Sequence, residues 1–257
     1  MSKEVANISP IQSISKTLDS EAFAPKIAAS LDGTGISPER FKRAALAALS
    51  RPEAAYLVEK CNRQSIYTAL MNAAAAGLEL HPALGQAYLV PRGGEATLQI
   101  GYRGLIALAA RSGLAVEVDV IFAGDKYSVV KGTSPEVRVE PEFDAKKKGE
   151  WVAVYCITHY ASGAKTLTFM TRAEVEALRD RFSDAYKRGG AAAKAWRENP
   201  EEMAKKTAIR RAAKLWPVSV PGDDENETVE HQTPPIRDVT PQQSTGGGHL
   251  DELAANL

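Results

Sequence analysis

Gln86-Ala87-Tyr88-Leu89-Val90-Pro91-Arg92-Gly93-Gly94-Glu95-Ala96-Thr97-Leu98-Gln99-Ile100-Gly101-Tyr102-Arg103-Gly104-Leu105 is the stretch from which the fold class is read. Residues 86–91 and 96–100 have strand-like composition, and Arg92-Gly93-Gly94-Glu95 between them is turn chemistry, so the segment predicts a β-hairpin. The period then changes: Gly101 to Gly104 lead into a helix over 105–111. Toward the N-terminus the pattern is helical throughout. Residues 25–31 form one helix; Ser37 caps a second that opens with Pro38 and places Phe41, Ala44, Ala45, Ala48 and Leu49 on one face; a third runs over 64–76 and stops at Gly77. Toward the C-terminus strands are expected at 115–122, 127–130, 137–140, 151–160 and 165–170, with Lys146-Lys147-Lys148-Gly149 as an exposed basic turn. Thr171 and Glu174 have the spacing of a helix cap. An alanine-rich helical stretch follows Gly189-Gly190, and a last helix opens at Pro200 and ends before Pro217. The expected fold is therefore α+β: a helical N-terminal region, a central antiparallel sheet with an inserted helix, C-terminal basic helices and a flexible acidic tail.

Size and composition narrow the function classes. With 257 residues, 44% hydrophobic and 25% charged, the chain buries a core without metal or disulfide staples. Cys61 and Cys156 are far apart in sequence and the four histidines are scattered, which predicts no zinc site and a reducing surrounding. No apolar run approaches the ~18 residues of a membrane span, and the first residues lack the apolar segment of a signal peptide. A cytoplasmic protein with no membrane contact is the expectation. Net charge is zero from 32 basic and 32 acidic residues, but the halves differ. Residues 218–257 hold eight acids against Arg237 alone; residues 1–217 hold the other 31 bases and 24 acids. A basic core beside an acidic tail suggests nucleic-acid contact with an appendage, or a solvated surface with a disordered end.

Two constellations carry the candidate chemistry. On a helix at ~100° per residue, Lys206, Arg210 and Lys214 fall on one stripe with Thr207 between them and Arg211 at its edge, opposite Ala208, Ile209, Ala212, Leu215 and Trp216. Like charges at that spacing repel unless an anion lies against them, which fits a phosphate backbone. Lys205 projects among the apolar positions and has to snorkel or reach into a groove. The second constellation is Gln99, Tyr102 and Arg103 at the strand-to-helix turn, with Arg111 two turns on. Gly101 and Gly104 allow close backbone approach, Tyr102 offers a stacking face, and the two arginines are phosphate donors. Each pattern also fits an ordinary alternative, a solvated cationic face and a tight turn with Tyr102 in the core.

Enzymatic patterns are weak. Gly163-Ala164-Lys165-Thr166 is a fragment of a phosphate-binding loop placed between two strands, and neither a nucleophile elbow nor a zinc-protease motif occurs. Glu117 and Asp119 share a face of a predicted strand and form the seed of a magnesium site, which keeps a metal-dependent nuclease as a minor alternative. No catalytic residue, metal ligand or cofactor is assigned.

Taken in order, Gly77-Leu78, Gly85-Gln86-Ala87-Tyr88-Leu89-Val90-Pro91, Gln99-Ile100-Gly101-Tyr102-Arg103-Gly104-Leu105, Ala109-Ala110-Arg111-Ser112-Gly113 and Met203-Ala204-Lys205-Lys206-Thr207-Ala208-Ile209-Arg210-Arg211 resemble the RecT family of phage single-strand annealing proteins, in the RecT/Redβ superfamily. The resemblance covers about residues 20–217. It implies a protein that is not an enzyme, one that binds single-stranded DNA without ATP, assembles into a ring or helical filament, and anneals a complementary strand in recombination. It also implies a partner phage exonuclease and a host single-strand-binding protein in the bacterial cytoplasm. On this reading residues 1–217 are the DNA-binding, annealing and oligomerisation core, and 218–257 a candidate partner-binding tail. Gln99, Tyr102, Arg103 and Arg111 would line one wall of a groove for single-stranded DNA and annealed duplex. Lys205, Lys206, Thr207, Arg210, Arg211 and Lys214 would line the other, and residues 22–77 would supply much of the protomer interface. A nucleic-acid-coating module without annealing activity is the main alternative.

Overall fold

The computed structural model describes residues 9–218 and has α1 (Pro10–Leu18), α2 (Ala24–Leu31), α3 (Pro38–Leu49), α4 (Ala55–Lys60) and α5 (Arg63–Ala75) in its N-terminal part. α1 and α4 go beyond the sequence expectation. Ser9-Pro10-Ile11-Gln12 is a complete capping box, in which Ser9 Oγ accepts from the Gln12 backbone and the Gln12 side chain accepts from the Ser9 N–H, so even a nine-residue helix is well started. Ile14, Leu18, Ile27, Phe41, Leu49, Ile66 and Leu70 close these helices on one another. Ala73 and Ala74 are fully buried, so α5 approaches its neighbours along a small-residue face. Gly77, at φ +58°, ends it as expected.

β1 (Ala87–Arg92) and β2 (Glu95–Ile100) form the expected hairpin in the register Arg92↔Glu95 through Ala87↔Ile100. Its buried face, Ala96, Leu98 and Ile100, packs on α5. α6 (Tyr102–Arg111) follows, and β3 (Ala115–Phe122), β6 (Trp151–His159) and β7 (Lys165–Thr171) make an antiparallel sheet with β6 central. β4 (Lys126–Val130) and β5 (Glu136–Glu140) pair only with each other among the described residues.

The fold class is thus α+β as expected, but the single sheet is divided into three pieces. Asp125 sets off the β4–β5 piece. Its buried carboxylate accepts from the Phe122 N–H at 2.8 Å and the Glu142 N–H at 2.9 Å, turning the chain out into the β4–β5 hairpin and catching it on return. The expected lysine turn is a single helical turn, α7 (Ala145–Lys148), whose Lys147 carbonyl lies where a Cβ on Gly124 would stand. α8 (Arg172–Phe182) begins with the expected Thr171–Glu174 capping box. After α9 (Asp184–Arg188) and α10 (Lys194–Glu198), α11 (Pro200–Ala213) lies across the three-stranded sheet and beside α6. Its Ala204, Ala208, Ile209 and Ala212 are buried, and beyond its end Trp216 Nε1 donates to Thr158 Oγ1 on β6 at 2.9 Å. The expected acidic tail, 218–257, and its terminal helix lie outside the described residues except for Val218.

Candidate nucleic-acid interface

The strand-to-helix turn at Gly101 is built by close packing of backbone. A Cβ on Gly101 would meet the Gly85 carbonyl, and one on Gly104 the Gln86 carbonyl; the Gly101 N–H donates to Gln86 O at 2.8 Å. What approaches these glycines is therefore the chain itself, at Gly85-Gln86. That packing presents the first turn of α6 outward. Arg103 is exposed, its Nε donating to Tyr102 Oη at 3.3 Å, while the Tyr102 ring is half-buried against the core.

Across the hairpin, Gln99 is half-buried and stands opposite Tyr88, which is 45% exposed and whose ring edge lies against Gly101. Tyr88 is absent from the sequence-derived residues. The tight turn at Gly93-Gly94 fixes the count that places it beside Gln99, so the hairpin register was the signal that could have found it.

α11 joins this turn through Arg210, whose Nη2 donates to Ile100 O at 2.7 Å. One turn earlier, Lys206 is half-buried, and among the described residues no carboxylate forms an ion pair with it. Burial pushes the Lys206 ammonium below its usual pKa, and the charge of Arg210 pushes it further. Two neighbouring cations are thus held together on α11, and Arg210 ties them to the end of β2. The arrangement is suited to a phosphate, whose negative charge relieves both penalties.

The remaining candidates are distributed elsewhere. Lys205 reaches the edge of the sheet, where Nζ lies 3.2 Å from Asp119 and 3.3 Å from Glu202. Burial lowers its pKa, and the two carboxylates more than offset this, leaving it raised. This is how the lysine among apolar positions is accommodated. The same contact occupies Asp119, and Glu117 faces His159 at 3.4 Å. Among the described residues no cluster of three or more His, Cys, Asp or Glu side chains is arranged to hold a metal.

Thr207 Oγ1 donates to Met203 O one turn back. Arg211 and Lys214 are exposed at the far end of α11, and Arg211 lines a groove beside β7 with Leu215. Leu215 is 69% exposed, contrary to the apolar-face expectation: the helix ends at Ala213, and the turn to Trp216 breaks the helical phase. Arg111 lies at the end of α6 away from Tyr102 and closes on α5, with Nη1 donating to Gly77 O at 2.9 Å and Nη2 to Ala76 O at 2.6 Å.

Residues 39–241 match the RecT family. The chain belongs to the RecT family. Protein RecT of Escherichia coli (strain K12) is 35% identical over 170 residues, covering 62% of this chain and 60% of that protein. The uncharacterized protein YqaK of Bacillus subtilis (strain 168) is 25% identical over 160 residues, covering 62% of this chain and 54% of its own length. The alignments thus span less than two thirds of either relative. The RecT match extends across the hairpin, the Gly101 turn and α11, the elements joined by the Arg210 to Ile100 hydrogen bond. Among the described residues no helix is long and apolar enough to cross a membrane.

Proposed function

We propose that this RecT-family chain is an ATP-independent single-strand annealing protein: it binds single-stranded DNA by its backbone, assembles into a ring or filament, and pairs the bound strand with its complement during recombination. The observation that carries the reading is the Lys206–Arg210 pair, two neighbouring cations tied to the end of β2 by Arg210, with no carboxylate ion-paired to Lys206 among the described residues. An annealing protein must grip phosphates and leave the pairing edges of the bases free, so contacts to the backbone should dominate. Tyr102 and Tyr88 add faces on which a base or sugar can rest. Gln99 lies opposite Tyr88 on the hairpin, and Lys214 adds a further exposed cation just past the end of α11.

No bond is made or broken on this reading, and no cofactor is needed. A phage exonuclease that produces the single strand and a host single-strand-binding protein displaced from it are the proposed partners, in the bacterial cytoplasm. Residues 1–217 form the proposed working core and 218–257 the partner-binding segment.

The test is binding and annealing of fluorescent oligonucleotides without ATP, at several salt concentrations, for the parent and the double variant Arg103→Ala, Lys206→Ala. Loss of two phosphate contacts on a single strand should lower the salt slope by about 1.4 and slow complement-dependent pairing. Equal slopes for parent and variant would refute the site. Tight binding by the parent without faster pairing would refute annealing and leave a coating module.

A further inference from the structure

The sheet of β3, β6 and β7 has two unpaired edges among the described residues, and they differ in charge. Between β7 and the β4–β5 turn at Lys131, Gly132 and Pro135 runs a groove of about 470 Å³, lined also by Lys165, Phe169, Arg211 and Leu215. Lys131 Nζ sits 5.6 Å from the centre of the Phe169 ring. Glu174, whose carboxyl is lowered chiefly by its bonds to Thr171, also feels Arg211 and Lys131, so this rim carries three cations to one acid. At the opposite edge β3 presents Glu117 and Asp119, with side chains 61% and 58% exposed, joined by Glu202 at 63%. Lys205 and His159 answer these three carboxylates only in part.

An open strand edge is a template for another strand, and proteins use charge on such edges to decide what may pair. Here β7 against β7 sets cation on cation, and β3 against β3 sets acid on acid. Only β7 against β3 is complementary. We infer that β3 of one copy adds to β7 of the next, extending the sheet from copy to copy. Main-chain hydrogen bonds supply the ladder, Lys131, Lys165 and Arg211 face the partner's Glu117 and Asp119, and Phe169 and Leu215 lose apolar exposure. β3 and β7 both run antiparallel to β6, so they pair in parallel when successive copies keep one orientation. The contact joins two different surfaces, so it propagates head to tail into a ring or a filament. Unpaired N–H and C=O groups with an apolar floor suit a protein strand better than a phosphate backbone. The helical residues 22–77 offer less, since Tyr56 is their one exposed large hydrophobic side chain among the described residues.

This interface rests on the assembly stated under the proposed function, and charge exchange separates the two. Mass photometry and sedimentation would be run with and without single-stranded DNA on the parent, on Lys131→Glu, Lys165→Glu, on Glu117→Lys, Glu202→Lys, and on the chain carrying all four changes. Each pair alone should shift the assembly midpoint by at least about tenfold in concentration, because one edge then repels the other. Mixing the two variants, or combining all four changes, should restore large complexes, which also shows that the variants fold. A parent that assembles with unaffected variants overturns the interface alone, as does failure of both mixing and combination to rescue. Lost DNA affinity with unchanged assembly would make the β7 groove a nucleic-acid surface and overturn it too. A parent that is monomeric under all conditions overturns both the interface and the assembly.

Discussion

Replacing Arg111 by Ala should cost stability rather than DNA affinity. The sequence pattern makes Arg111 a phosphate donor, but its two terminal nitrogens are engaged with the carbonyls of Ala76 and Gly77, just past the end of α5. A hydrogen bond from a charged donor contributes about 1.5–3 kcal/mol. Arg111 is exposed and water can replace it, so the lower figure applies to each bond, and the expected loss for the pair is about 2–3 kcal/mol. For a domain of this size that lowers the melting temperature by about 4–12 °C.

Gly77→Ala gives the second arm of a double-mutant cycle. A Cβ there overlaps Arg111 Nη1 and lies 2.8 Å from Thr34 Cγ2, and the φ of +58° adds about 1–2 kcal/mol for any L side chain. Without the guanidinium one of these clashes vanishes. The double variant should therefore be less destabilised than the sum of the singles, by about 1 kcal/mol. The assay is urea unfolding of all four proteins, with oligonucleotide binding measured at several salt concentrations. An Arg111→Ala protein of parental stability whose salt slope has dropped by about 0.7, one phosphate on a single strand, would refute the reasoning.

Lys206 should give the protein an alkaline stability gain. Its folded pKa is lowered, so the unfolded chain holds that proton more tightly, and stability rises with pH from the lowered value up to the ordinary lysine value of about 10.4. Lys206→Met should abolish that rise, stabilise the free protein at neutral pH and weaken DNA binding; a variant less stable than the parent at pH 7 would contradict the burial argument. Trp216→Phe strands the Thr158 hydroxyl inside the protein and should cost about 1–3 kcal/mol by urea unfolding, while adding Thr158→Val should recover part of it. Burial pushes the Cys156 thiol up to about 12, so a thiol reagent at pH 8 should modify Cys156 only as fast as the protein opens. Modification of the native protein at the rate of a free thiol would disprove this.

Local chemistry made most of the fold legible. The Gly93-Gly94 turn, the Ser37 and Thr171 caps and the Gly77 stop act within a few residues, and each element they delimit is present. α1 is legible only when each serine is tested as a cap, because its Ser9–Gln12 box is the local signal that starts it. The excursion of β4–β5 from the sheet is not readable, because it involves Asp125 bonding to Glu142, seventeen positions away, and a lone aspartate after a strand is indistinguishable from any turn residue.

The candidate site shows the same limit on a single helix. Turning α11 through ~100° per residue places Lys206, Arg210 and Lys214 on one stripe, and that geometry is sound. A wheel gives direction, however, and the electrostatics depend on what is met in that direction. Lys205 meets Asp119 and Glu202 and is neutralised there; Lys206 meets Arg210 and burial; Arg211 meets the β7 groove. One run of positive charges can therefore describe three different surfaces. Where a half-buried cation has no ion-paired carboxylate among the described residues, folding leaves a free-energy penalty that an arriving anion removes, and Lys206 meets that criterion although sequence periodicity ranks it no higher than its neighbours.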